Sequence, residues 1–195
     1  YIYYLQANEM TQDLKKIEIS SITPGTASEV IQTGLEAYGF SVTGDNKKLC
    51  YTKYTGSSNL WSFTYNKKTN LFQSKKISEG TASFYRPKIS PDGNEIAFVH
   101  DKNIYKMSAN GSSIKQLTFF NSECRCPSWS PDGKQIAFYT ESNLYTVSTE
   151  GGTPSFLMNK DFGYDAYWGT NSEIFCQKIG NRNFFVYNLV TNESK

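Results

Sequence analysis

The sequence predicts an all-β protein, a β-propeller of four-stranded antiparallel blades with four to five blades represented. Three observations carry that expectation. A unit recurs every 40 residues, since Ser90 and Ser130 open two copies of the same turn. The residues between turns, with 14 Tyr, 13 Phe and 3 Trp, suit pleated, half-buried surfaces. The turn, Ser-Pro-Asp-Gly, falls at the same place in successive copies.

The repeat is plainest in its two central copies. Phe84-Tyr-Arg-Pro-Lys-Ile-Ser-Pro-Asp-Gly93 leads into Asn94-Glu-Ile-Ala-Phe98, and Cys126-Pro-Ser-Trp-Ser-Pro-Asp-Gly133 leads into Lys134-Gln-Ile-Ala-Phe138. Asn103-Ile-Tyr-Lys-Met107 matches Asn143-Leu-Tyr-Thr-Val147 in the same step. Weaker copies flank these. Upstream, Thr43-Gly-Asp-Asn46 stands in the turn, before Leu49-Cys-Tyr51 and Asn59-Leu-Trp-Ser-Phe63. Downstream, Trp168-Gly-Thr-Asn-Ser172 stands there, before Ile174-Phe-Cys176 and Asn183-Phe-Phe-Val-Tyr187. An apolar residue and then an aromatic recur at the head of the third strand. The pairs are Ile2-Tyr3, Leu60-Trp61, Ile104-Tyr105, Leu144-Tyr145 and Phe184-Phe185.

Each unit reads as four strands. The first carries Ile89 or Trp129 into the turn, the second is the Ile-Ala-Phe segment, and the third is the Asn-Leu-Tyr segment. A polar turn such as Asn110-Gly111 follows, as hairpins require. Ile114 to Thr118 forms the outer, fourth strand. Such a unit cannot bury both faces alone, so blades stack.

The turn residues Ser90, Pro91, Asp92, Gly93 and Ser130, Pro131, Asp132, Gly133 have a structural role. Proline pre-sets φ near −65°, aspartate bonds nearby backbone N–H groups, and glycine takes the left-handed conformation that re-aims the chain. Their recurrence at one turn marks the two aspartates as structural, against a reading as catalytic carboxylates.

The predicted organisation is one propeller domain over 1–195, with blades at about 37–78, 84–119 and 125–158. Partial blades stand at 1–20 and 164–195. Joined ends would supply one third strand twice, so the expectation is a piece of a larger ring. Ser20 to Tyr38 is longer than other connections and reads as a rim loop or one short helical turn. It contains Gly25-Thr-Ala-Ser28, a tetrapeptide repeated at Gly80-Thr-Ala-Ser83. A long loop on a rigid ring is the preferred contact region.

Charge and composition exclude several function classes. With 20 basic and 18 acidic residues, the net charge of +2 offers no stripe for nucleic acid. The pairs Lys15-Lys16, Lys47-Lys48, Lys67-Lys68 and Lys75-Lys76 fall at turns and strand ends, where lysine discourages edge aggregation. No apolar stretch approaches the ~18 residues that span a bilayer, and no charged-then-apolar leader opens the chain. Cys124 and Cys126 stand too close on a strand for an unstrained mutual disulfide. Two thiolates and the single His100 fall short of a four-ligand zinc site. Cys50 and Cys176 read as small core residues.

The Ser-Pro-Asp-Gly-x-x-Ile-Ala-Phe run followed by Asn-Leu/Ile-Tyr resembles the WD-like, PD-type repeats of TolB-like propellers. The resemblance is strong over 84–158 and fair elsewhere. It implies a non-catalytic module that binds a protein partner in the bacterial periplasm or outside the cell. The residues present lead to the expectation of no cofactor and no metal. No partner-binding motif of that family maps onto these residues. The same repeats occur in prolyl-oligopeptidase-type peptidases, so a substrate-gating propeller is the alternative, its catalytic domain lying outside this chain. Glycan binding through Trp61, Trp129 and Trp168 is a third reading, weakened because Trp129 and Trp168 share a repeat position that faces the blade interface.

Catalytic chemistry finds no constellation in the sequence. A hydrolase needs a nucleophile, a base and an orienting group. His100 ends a second strand where the next copy has Thr140. No Gly-x-Ser-x-Gly elbow is present. Pectate-degrading propellers hold a metal with several histidines. Asp92, Asp101, Glu141, Asp161 and Asp165 fall in turns with no acid/base spacing, and Asp161 and Asp165 read as a solvated loop rather than a calcium contact.

Overall fold

The structure is a computed structural model. It describes residues 2–8, 11–17, 29–35, 37–43, 48–54, 58–66, 71–80, 83–159, 162–178 and 184–194. Every regular element among them is a β-strand. The chain divides into two compact units, Tyr1–Tyr38 and Gly39–Lys195.

The first unit holds sheet 1, in which β1 (Ile2–Asn8), β2 (Thr11–Ile17) and β3 (Glu29–Leu35) pair in chain order. β1 and β2 form a hairpin with Leu5 opposite Leu14. Over Glu29–Leu35, β3 corrects the expectation of a loop or helical turn for the segment Ser20 to Tyr38. The β-branched residues Val30, Ile31 and Thr33 favour an extended backbone, and β2 offers an edge that pairs with the strand at Glu29, Val30, Gln32 and Leu35. Gly25 to Ser28, Lys47, Lys67-Lys68 and Asp161 lie outside the described residues.

Four four-stranded sheets follow, all antiparallel. Sheet 2 is β4 (Ala37–Val42), β5 (Lys48–Tyr54), β6 (Ser58–Asn66) and β7 (Leu71–Lys76). Sheet 3 is β8 (Phe84–Ile89), β9 (Glu95–His100), β10 (Asn103–Ser108) and the short β11 (Lys115–Gln116). Sheet 4 is β12 (Arg125–Trp129), β13 (Gln135–Thr140), β14 (Asn143–Ser148) and β15 (Ser155–Asn159). Sheet 5 is β16 (Phe162–Thr170), β17 (Glu173–Lys178), β18 (Phe184–Asn188) and β19 (Glu193–Ser194).

The core is a series of seams between consecutive sheets. Cys50 and Leu60 of sheet 2 pack on Phe84, Ile96, Phe98 and Met107 of sheet 3. Ala97, Val99 and Ile104 of sheet 3 pack on Trp129, Ile136, Phe138 and Val147 of sheet 4. Ala137, Tyr139 and Leu144 of sheet 4 pack on Ala166, Ile174, Cys176 and Tyr187 of sheet 5. The head of each third strand therefore points at the following sheet. In the last seam the large previous-facing ring of Phe98 and Phe138 becomes Cys176, and Tyr139 replaces Val99 on the opposing face. A bulky residue on one side fills what a small one on the other vacates, as native packing density demands.

Phe184 departs from the expectation for its position. It holds the same register as Leu144, opposite the second strand. It is nevertheless 70% exposed, whereas Leu60, Ile104 and Leu144 are wholly buried. Phe175 and Tyr167, paired on neighbouring strands of the same sheet, are exposed as well, and Lys88 of sheet 3 reaches over the Tyr167 ring at 5.1 Å.

First strands of consecutive sheets are tied directly. The Ile89 N–H donates to Ser41 Oγ at 3.0 Å, Trp129 Nε1 to the Lys88 carbonyl at 2.8 Å, and the Trp168 N–H to Ser128 Oγ at 3.2 Å. β8 and β12 each carry a bulge, between Tyr85 and Lys88 and between Arg125 and Ser128. Arg86 (φ 51°) and Cys126 (φ 54°) sit within them. Pro87 and Pro127 follow, and a bulge is where a strand tolerates a residue without an N–H.

Candidate interaction surface

The Ser-Pro-Asp-Gly turns are closed by their own side chains. Ser90 Oγ donates to Asp92 Oδ1 at 2.6 Å, and the Asn94 N–H donates to the same oxygen at 3.1 Å. Ser90 Oγ in turn accepts from the Glu95 N–H at 2.9 Å. Ser130, Asp132, Lys134 and Gln135 repeat the pattern with distances of 2.6, 3.1 and 2.9 Å. The serine hydroxyls, and then the backbone N–H groups, hold both aspartates below the usual carboxylate range. Gly93 (φ 74°) and Gly133 (φ 71°) take the left-handed conformation.

His100 is held by packing. Its ring stacks on Phe84 at 4.4 Å, meets the edge of Tyr105 at 5.1 Å, and Nδ1 lies 3.2 Å from the Ser83 carbonyl. The four cysteines are buried, and none is joined in a disulfide. Burial pushes the thiols of Cys124 and Cys176 up to about 11, and that of Cys50 higher still. Arg86 Nη1 donates to Cys126 Sγ at 2.9 Å, joining the two bulges. Among the described residues no group of three His, Cys, Asp or Glu is placed to hold a metal ion. Trp129 is buried in a seam and Trp168 packs beside the next one. Trp61 is half-buried, 5.9 Å beneath Lys53 Nζ.

Sequence reasoning passed over one polar device. The asparagine that opens the third strand clasps the end of the fourth. In sheet 3, Asn103 Oδ1 accepts from Thr118 Oγ1 at 2.9 Å and from the Phe120 N–H at 2.8 Å, while Thr118 Oγ1 accepts from the Ile104 N–H at 2.9 Å. In sheet 2, Asn59 Oδ1 accepts from Ser78 Oγ at 3.2 Å, and Ser78 Oγ accepts from the Leu60 N–H at 2.9 Å. The signal lies in the recurrence of Asn59, Asn103, Asn143 and Asn183 before the apolar-aromatic pair, with Ser78 or Thr118 following the fourth strand. All four clasp residues are buried, so the bonds form away from competing water. Asn103→Ala is expected to cost about 1–3 kcal/mol by stranding the Phe120 N–H and the Thr118 hydroxyl. Urea unfolding checks it, and an unchanged midpoint would show the clasp to be dispensable.

An aromatic edge remains exposed beside this clasp. Phe119 is 78% exposed, Phe156 55% and Ile114 52%. Phe156 meets Tyr145 edge-on at 5.6 Å, and Tyr145 meets Phe120 at 5.2 Å, next to Phe119 in the chain. The edge thus spans the outer strands of sheets 3 and 4. Isolated apolar residues on a surface are ordinary, but exposed aromatics flanking half-buried ones gather the kind of apolar surface that contacts a partner.

No protein-family model matches the chain, and no curated protein matches its sequence. Solved structures do match. TolB from Acinetobacter baumannii superposes with a TM-score of 0.80 at 16% identity, over 98% of this chain and 50% of that one. An oligogalacturonate lyase in complex with manganese superposes with a TM-score of 0.72 at 14% identity, over 99% of this chain and 61% of that one. A puromycin-hydrolyzing peptidase from Mycobacterium tuberculosis gives 0.72 at 10% identity, over 95% of this chain and 32% of that one. The chain thus spans half the length of the TolB structure and less than two thirds of the lyase. Sheets of four antiparallel strands, stacked in chain order and matched on this scale, establish that the chain has the TolB-like β-propeller fold.

Proposed function

We propose that the chain is a non-catalytic binding module that engages a protein partner in the bacterial envelope or the secreted space. The observation that carries this reading is the pair of exposed aromatics Phe119 and Phe156, which flank the half-buried, mutually contacting rings of Phe120 and Tyr145. Aromatic side chains bring large contact area at low entropic cost, which is why they are enriched in protein interfaces. The TolB-like fold supports the reading without selecting it, because the same fold occurs in a lyase and a peptidase. His100, the one histidine, is packed between Phe84 and Tyr105 rather than aimed at a nucleophile.

Immobilised chain is to be exposed to a periplasmic extract alongside a Phe119→Ser, Phe156→Ser variant. A protein retained by the parent at least about tenfold better than by the variant, with unchanged melting, is the expected result. Hydrolysis of a prolyl-peptide anilide or cleavage of oligogalacturonate by the purified chain would overturn the non-catalytic reading.

A further inference from the structure

The seams between sheets differ at one place, near the end that carries the Ser-Pro-Asp-Gly turns. Between sheets 3 and 4 that place is filled. Lys106, only 8% exposed, lies 2.9 Å from Glu95 Oε1 and 3.8 Å from Glu150 Oε1. Lys115 Nζ donates to the Glu150 carbonyl at 2.7 Å. Two basic and two acidic side chains close the seam, and their charges cancel.

The strand registers identify the corresponding residues one seam earlier, between sheets 2 and 3. Ser62 stands for Lys106, Lys48 for Glu95 and Lys75 for Lys115. The hairpin turn after the third strand puts Asn110 where the next copy has Glu150. The long side chain that fills the seam has shrunk to a hydroxymethyl, and both carboxylates are gone, one of them replaced by a cation. At that place the seam opens into a cleft of about 380 Å³. Leu49, Cys50, Phe63 and Ile96 line it, together with Lys48 and Lys75, and the described lining includes no carboxylate. Lys48 Nζ reaches across to the Gly93 carbonyl at a long 3.5 Å. Asn94 and Asn110 complete the polar rim.

We propose that this cleft binds a small organic monoanion, a carboxylate carried on an aromatic or branched apolar body. Two lysines with no acidic counterpart among the described residues of the lining supply the charge complementarity. The apolar floor gains from burying hydrocarbon and gives a bare inorganic anion no such gain. The volume lies within the range of roughly 300–1,000 Å³ typical of small-molecule sites. The site is separate from the aromatic edge and stands whether or not that edge binds a protein.

The test uses the intact chain, isotope-labelled, titrated with phenylacetate and followed by amide chemical shifts. Saturable shifts are expected at Leu49, Gly93, Asn94 and Asn110. Phenylacetamide, the neutral counterpart, is expected to bind about tenfold more weakly, as is the Lys48→Gln, Lys75→Gln variant. Both lysines are exposed, so that variant retains the fold, and its unchanged spectrum elsewhere confirms this. A second variant, Ser62→Lys with Asn110→Glu, installs residues of the filled seam and is expected to abolish the shifts. Absence of saturable shifts with phenylacetate, equal binding of phenylacetamide, or undiminished binding by either variant would overturn the proposal.

Discussion

Leu144→Ala is expected to lower stability by about 2–5 kcal/mol, and Phe184→Ala, at the same repeat position, by less than about 0.5 kcal/mol. Leu144 is wholly buried in the seam between sheets 4 and 5, against Ile174, Cys176 and Tyr187. Truncation there removes buried methyl groups and leaves a void that strand backbones cannot close. Phe184 occupies the equivalent place on sheet 5, yet it is 70% exposed, so its removal takes away little buried area. Urea midpoints for the two variants give the comparison. Equal losses would mean that the faces of sheets 4 and 5 are covered alike, contrary to the packing described.

Gly111→Ala is expected to cost about 2–5 kcal/mol, from a left-handed conformation disfavoured by a Cβ and from a direct clash. Gly111 has φ 95°, and a Cβ built there would sit 2.4 Å from the Ile77 carbonyl oxygen. The obstacle is backbone of the neighbouring sheet's outer connection, so no side-chain rotation relieves it. Gly133 provides the control. Its φ is 71°, but nothing lies within 4 Å of the added Cβ, so Gly133→Ala carries the conformational cost alone, about 1–2 kcal/mol. Thermal melts of the two variants separate strain from collision. If Gly133→Ala proves as damaging as Gly111→Ala, the close approach of Gly111 to Ile77 carries no weight.

The seams are legible in the repeat itself. Leu60, Ile104 and Leu144 recur at one register because each must bury against the following sheet, and that demand imprints a period. Phe184 obeys the same period, yet a sequence pattern specifies which face a residue points from, not whether another sheet stands opposite. Glu29–Leu35 is harder to read because the Gly25-Thr-Ala-Ser28 turn signal precedes it and Gly34 interrupts the β-branched run, both weakening strand alternation. The bulges at Arg86 and Cys126 leave one trace, the proline that follows each. The cleft is visible in principle, as Ser62 against Lys106 and Lys48 against Glu95, but only once the strand registers make those positions equivalent. Of the aromatic edge only Tyr145 belongs to the repeat, whereas the exposure of Phe119 follows from the turn after β11 and leaves no periodic trace.

The three seams share no residue, and each joins only two consecutive sheets. Such a stack behaves as a linear chain of coupled units, with stability summed from each sheet and its contacts to immediate neighbours. Amide protons in the middle strands of sheets 3 and 4, bound on both faces, should exchange slowest with solvent. Those of sheet 5, which shares one described seam and exposes Phe184, should open in smaller sub-global events. A mutation in one seam would then lower protection chiefly in the two sheets that it joins, so damage spreads by adjacency along the stack.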